Sequence, residues 1–144
     1  NGVDGLAGAE SVAVSLDGRH VYAAGANDNA LAVFSRSAAT GALTFVEVER
    51  DGVNGVNGLA GNWYVAISPD DAHVYAAGSG DNALAVFARN ALSGALTFVQ
   101  NVTNGVNGVD GLLSVESVAV SADGVHVYAA GQGDNAIAVF ARNE

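Results

Sequence analysis

The chain has 144 residues, half of them apolar, and five Arg, no Lys and fifteen acidic residues give it a formal charge of −10. That balance argues against nucleic-acid binding, whose affinity rests on basic residues neutralising phosphates, and the absence of Cys excludes disulfides, thiol nucleophiles and thiolate-held metals. No apolar run approaches the ~20 residues that cross a bilayer, so no membrane span is expected, and Asn at position 1 suggests a mature, cut or engineered piece.

Taken in chain order, the first segment, "NGVDGLAG" (1–8), is rich in Gly and Asn and reads as a loop. Four short runs follow, expected as strands over 11–15, 20–25, 30–36 and 42–49. They are too short for helices and carry Val, Tyr, Phe and Thr between Gly/Asp/Asn clusters. "LDGR" has the composition of a tight turn between the first two. The segment "DGVNGVNGLAGN" (51–62) then carries Gly at every third position, and the pattern starts again.

"HVYAAG" stands at 20–25, 73–78 and 126–131, a period of 53 residues. "DNALAVFSR" (28–36), "DNALAVFAR" (81–89) and "DNAIAVFAR" (134–142) keep the same register, as do "TGALTFV" (40–46) and "SGALTFV" (93–99). The copies are 1–53, 54–106 and 107–144, the third stopping before its GALTFV segment. Four antiparallel strands per unit of this length predict an all-β chain of β-propeller blades, about 2.7 of them. Ala and Val in the inner strands suit the taper towards a propeller axis, and Leu31, Val33, Phe34, Leu43 and Phe45 suit the space between blades.

The pattern "SxDGxHVYAAG…DNALAVFSRSAATGALTFV" resembles the repeat of bacterial lactonase-type propellers, the 6-phosphogluconolactonase-like and YVTN-type group. The resemblance covers all three copies and implies a propeller of seven blades closed within one chain, with lactone hydrolysis as the family activity. Here two full blades and part of a third are present. An open arc exposes two apolar blade faces, so self-association of identical chains into a ring is expected, with six blades from two chains or nine from three.

In such a ring the crossings between blades and the turns after each second strand share one rim. Asp4, Asp28, Asp81, Asp110 and Asp134 would lie there with Asn54, Asn57 and Asn107. Oxygen donors on Gly-rich loops suit Ca²⁺; the alternative is that these Asp and Asn residues serve the turns themselves. His20, His73 and His126 recur symmetrically, so they fan out instead of converging on a metal, and each is expected beside Tyr22, Tyr75 or Tyr128. Arg36, Arg89 and Arg142 recur in the same way and are expected to make structural hydrogen bonds.

The clearest break in the repeat precedes the first strand of each copy: "AES" (9–11) and "VES" (115–117) become "NWY" (62–64). Trp63 and Tyr64 opposite Glu10 and Glu116 suit a small polar ligand or carbohydrate near the channel mouth. In the alternative, Trp63 plugs a gap between blades. "NVT" (101–103) matches a glycosylation acceptor.

No Gly-x-Ser-x-Gly, His-Glu-x-x-His or phosphate-loop motif occurs. The expected function is a non-catalytic structural or binding scaffold, without a cofactor unless Ca²⁺ occupies the rim. The alternatives are a fragment of a lactonase-like hydrolase, with Glu10 or Glu116 as general base, and an engineered or evolutionary blade protein. The expected setting is extracellular, cell-surface or periplasmic.

Overall fold

A computed structural model describes residues 3–142; the outermost ends of the first and third copies lie outside the described residues. The chain is all-β. The first sheet runs β1 (Ala9–Val14), β2 (His20–Gly25), β3 (Ala30–Arg36) and β4 (Leu43–Arg50). The second runs β5 (Asn62–Ile67), β6 (His73–Gly78), β7 (Ala83–Arg89) and β8 (Leu96–Thr103). The third runs β9 (Val115–Val120), β10 (His126–Gly131) and β11 (Ala136–Ala141). Each is an antiparallel meander in sequence order. The strands lie where the repeat puts them with small shifts at their ends: β1 spans Ala9–Val14 instead of 11–15 and β4 spans Leu43–Arg50 instead of 42–49. A β-bulge between Ala9 and Ser11 extends the pairing of β1 with β2 by one more contact.

The first strands of neighbouring sheets, β1 with β5 and β5 with β9, pack against one another, whereas the outer strands diverge. The sheets are therefore blades that converge on their first strands. Opposed residues in an antiparallel pair share a face, so the register divides each blade into two faces. Tyr22, paired with Val33, and Ala24, paired with Leu31, face the second blade. There they meet Val65, Val74, Ala76, Ala85 and Phe87 in one core. Tyr75, Ala77 and Leu84, on the second blade's other face, meet Val118, Val127, Ala129 and Ala138 of the third blade in a second core. Ala near the axis and Leu or Phe further out fill the wedge between blades. Each large side chain buried there contributes about 1.5–3 kcal/mol relative to its exposed state.

The glycine period in 51–62 has a backbone cause. Gly52, Gly55, Gly58 and Gly61 all have positive φ (73°, 85°, 94° and 57°), with Asn54 at 52°. Asn54-Gly55 forms a tight turn closed by the Val56 N–H donating to Val53 O at 3.0 Å, and Val56 and Leu59 drop from it into the first core. The crossing also presses on the blade beneath it: a Cβ on Gly78 would lie 2.2 Å from Gly58 O.

Candidate functional site

The bulges recur, and they place the exception in the repeat. The register shifts between Ala9 and Ser11, between Asn62 and Tyr64, and opposite Ala130 and Gly131, where Val115 and Ser117 take successive partners. Glu10, Trp63 and Glu116 are thus the extra residues at one equivalent position on the three innermost strands. All three are exposed. A bulge re-aims a side chain and is over-represented beside functional sites. Trp63 is 42% exposed and belongs to none of the buried clusters, so it does not plug a gap between the described blades. Tyr64 is next to it and equally open.

The rim around this position is built from the "DN" turns after β2, β6 and β10. Asp28 accepts from Ala7 N–H at 2.9 Å, Asp81 from Ala60 N–H at 3.0 Å and Asp134 from Leu113 N–H at 2.9 Å, each holding its own blade's entry loop. The following Asn adopts positive φ and reaches the next blade. Asn29 accepts from Gly61 N–H at 2.8 Å and Asn82 from Ser114 N–H at 2.7 Å. Asn62 adds a donation from Nδ2 to Ala30 O at 2.9 Å. Asp4 pairs with Arg50 and accepts from Gly5 N–H, and Asp110 accepts from Gly111 N–H. The structure therefore spreads the five rim aspartates over separate backbone caps, and no group of three or more His, Asp or Glu suited to a metal occurs among the described residues.

A second constellation lies at the opposite end of the interblade face. Arg89, with its side chain fully buried, crosses from the second blade to the first. Its Nε donates to Tyr22 Oη at 2.8 Å, its Nη1 to Asp71 O at 3.0 Å and its Nη2 to the Asp17 carboxylate at 3.2 Å. The same Nη2 lies 2.9 Å from His20 Nδ1. Guanidinium can only donate, so Nδ1 accepts and His20 is the neutral tautomer with its proton on Nε2. Tyr22 Oη in turn donates a hydrogen bond to Gly94 O at 2.8 Å.

These contacts tune the groups involved. The Ser15 hydroxyl, the Arg19 amide and Arg89 hold Asp17 down at about 2. Burial, with Arg89 adding to it, pushes His20 below its ordinary value, and burial pushes Tyr22 up to about 12. The clasp repeats one blade on, where Arg142 meets Asp70 and lies 2.9 Å from His73 Nδ1. Asp70 is held low against the effect of burial by Ser68 and Arg142. Two of the histidines lie beside their tyrosines with the rings tilted, His73 and Tyr75 at 6.4 Å and His126 and Tyr128 at 6.3 Å. Spacing alone did not disclose that Arg89 and Arg142 serve the preceding blade.

A cavity of about 150 Å³ lies between β8 and β11, lined by His73, Tyr75, Leu84, Val99, Val102 and Phe140. Its counterpart between the first two blades is filled by Leu96 and Phe98 of β8, so it is a packing groove. "NVT" lies within β8, where half-buried Asn101 donates Nδ2 to Thr103 Oγ1 at 3.0 Å, instead of in an open loop.

A family model described as lactonase, 7-bladed β-propeller, matches residues 1–101. Among solved structures, a candidate 6-phosphogluconolactonase from Bacteroides fragilis superposes with a TM-score of 0.81 at 21% identity, over 95% of this chain and 35% of that one. The periplasmic gluconolactonase of Pseudomonas aeruginosa superposes with a TM-score of 0.78 at 26% identity, over 94% of this chain and 36% of that one. The chain thus spans about a third of the length of these structures. No curated protein matches it.

Proposed function

Because the chain belongs to the lactonase family of seven-bladed β-propellers, we propose that it forms an arc of a lactone-hydrolysing propeller. Its rim at positions 10, 63 and 116 receives a sugar-derived cyclic ester. The observation that carries this reading is the bulge set: one backbone position, repeated on the three innermost strands, presents two carboxylates and an indole outwards. The indole face suits the C–H face of a sugar ring. A carboxylate of Glu10 or Glu116 takes a proton from water as that water adds to the lactone carbonyl. The ring C–O bond then breaks, leaving a carboxylate and a hydroxyl. General-base assistance of this kind contributes about 10²–10⁴-fold. A periplasmic or extracellular setting accompanies the reading, supported by the periplasmic gluconolactonase it resembles.

The test is δ-gluconolactone opening followed by base uptake in a pH-stat. Glu10→Gln or Glu116→Gln should lower kcat about 100-fold, and Trp63→Ala should raise KM. Turnover by the wild-type chain no faster than buffer would remove the hydrolase. A second reading, a binding scaffold without turnover, is favoured by the use of Asp28, Asp81 and Asp134 as backbone caps. Trp63 is the sole Trp, so a change in its fluorescence on titration with a sugar acid, without hydrolysis, would select the scaffold. Ca²⁺ should leave Tm unchanged if the rim aspartates serve only the turns.

A further inference from the structure

Four Asn-Gly pairs fall in the two crossings between blades, at 54–55, 57–58, 104–105 and 107–108. Asparagine before glycine is the least hindered sequence for a reaction of the chain with itself. The glycine amide nitrogen attacks Cγ of the Asn side chain while its proton passes to a solvent base. A succinimide closes as the carboxamide C–N bond breaks and the nitrogen leaves as ammonia. Water then opens the imide at either carbonyl, giving an aspartyl residue or an isoaspartyl residue whose main chain runs through the side-chain carbons. Glycine permits the attack because it has no Cβ to shield its nitrogen.

The fold treats the four pairs differently. At 104–105 both reacting groups are occupied: Asn104 Oδ1 accepts from Leu112 N–H at 3.0 Å, and Gly105 N–H donates to Val109 O at 2.8 Å. At 57–58 packing holds the nitrogen away from Cγ. Gly58 is buried, a Cβ on it would lie 3.1 Å from Asn101 Cβ, and the next residue, Leu59, is fully buried with its N–H on Asp51 Oδ1 at 3.1 Å. At 54–55 and 107–108 neither restraint operates. All four of these residues are exposed. The Gly55 and Gly108 amides donate to no backbone carbonyl among the described residues, and a Cβ on either glycine would have nothing within 4 Å. Each pair is the apex of a turn closed by one bond, from Val56 N–H to Val53 O or from Val109 N–H to Val106 O, both 3.0 Å. Opening that bond lets the glycine nitrogen swing over Cγ.

We propose that Asn54 and Asn107 are succinimide-forming modification sites, left reactive by the same fold that protects Asn57 and Asn104. The two products differ in effect. An aspartyl residue keeps the turn, since Asp71 already holds φ 59° in this chain, beside 52° at Asn54 and Asn107. An isoaspartyl residue lengthens the main chain at the apex, just before Val56, whose side chain is 3% exposed in the core between the first two blades. Conversion at Asn54 by that route therefore shifts Val56 and loosens the joint.

The experiment is peptide mapping by mass spectrometry after prolonged incubation of the whole chain in warm, mildly alkaline buffer, either folded or held unfolded in guanidinium chloride. In the folded chain Asn54 and Asn107 should convert at least about tenfold faster than Asn57 and Asn104, the protection that a hydrogen bond or a packed contact gives against local opening. In the unfolded chain all four should convert at similar rates. Conversion at Asn57 or Asn104 as fast as at Asn54 and Asn107 in the folded chain overturns the proposal. So does a folded chain that stays intact at 54 and 107 while the unfolded chain reacts, and conversion at only one of the two overturns the assignment of the other. Urea midpoints read the consequence. Asn54→Asp should keep the wild-type value, whereas incubated wild type, carrying the isoaspartyl product, should fall below it. The double variant Asn54→Gln, Asn107→Gln, which cannot close the succinimide, should hold its midpoint through the same incubation. An unchanged midpoint in converted wild type overturns the effect on the joint.

Discussion

Replacing Arg89 with Met tests whether the clasp holds the first two blades together. The side chain is completely buried and serves Tyr22, Asp71, Asp17 and His20 at once. Met retains length and apolar bulk but no donor, so His20 Nδ1 and Asp71 O lose a partner while Tyr22 keeps Gly94 O as its acceptor. Removing one member of a buried ion pair costs about 3–5 kcal/mol. The Asp17 carboxylate is 31% exposed and recovers hydration, which places the expected loss near 3 kcal/mol at the lower end of that range. Total stability for a chain of this size is about 7–20 kcal/mol, so the fold survives. The assay is urea unfolding at pH 7 and fixed protein concentration, with Arg19→Met as the control because Arg19 is exposed and should change stability by less than about 0.5 kcal/mol. Thermal melts should show a drop of about 6–12 °C for Arg89→Met. Equal midpoints for the two variants would refute the clasp as a source of stability.

Acid should destabilise the fold in two stages. His20 and His73 lie below their ordinary value in the fold because they are buried. The stability they give is complete above about pH 6.5 and declines as pH falls below it. Asp17 lies at about 2 instead of 3.8, so its contribution is complete above that ordinary value and disappears on descent towards pH 2. Ser15→Ala, which removes the largest support of the depressed value, should flatten the lower stage in urea midpoints taken across pH. Gly94→Ala should cost about 1–3 kcal/mol more than Gly105→Ala. The two glycines share φ near 75°, but only at Gly94 does a new Cβ meet another side chain, so equal losses would mean that the His20 contact is loose. Asn82→Gly keeps the turn but removes the cross-blade acceptor for Ser114 N–H, and should cost about 1 kcal/mol. Asn82→Ala should cost about 1–2 kcal/mol more, because Ala resists positive φ. A neutral Asn82→Gly would show that the rim latch contributes nothing.

The blade was legible because a 53-residue identity pattern fixes strand limits and turns together, independent of propensity. It also carried Asp17, His20, Tyr22 and Arg36 as invariant members of a copy, with successors at the same offsets. What it did not carry was the partner. Arg89 lies within hydrogen-bonding distance of His20 across 69 residues, one period plus the span from His20 to Arg36, and a repeat cannot say whether Arg36 serves its own His or that of the blade before it. The geometry of the wedge decides that. The rim aspartates were ambiguous for a related reason. Asp28 as a cap and Asp28 as a cation ligand need the same residue on the same turn, and the cap itself, the bond from the Ala7 amide at 2.9 Å, is visible only in the structure.

The distribution of polar groups over the interblade face explains how near-identical blades keep register. Ala, Val and Leu faces are similar in every copy, so a slide of two residues along a strand would keep apolar side chains against apolar side chains. The Asn latch at the rim and the Arg clasp at the far end forbid it. Any slide would leave a buried guanidinium without acceptors and open the Asn contact to Gly61 or Ser114 at the same time. Burying that ion pair adds less to stability than its contacts suggest, because desolvation offsets much of the attraction. Its larger effect is on specificity: it admits a neighbour in one alignment. Positions 10, 63 and 116 then ride on a frame whose register is held elsewhere, and their side chains can differ between copies at little structural cost. Variation is seen there, with Glu, Trp and Glu on the same bulge, because that position does not serve the joint.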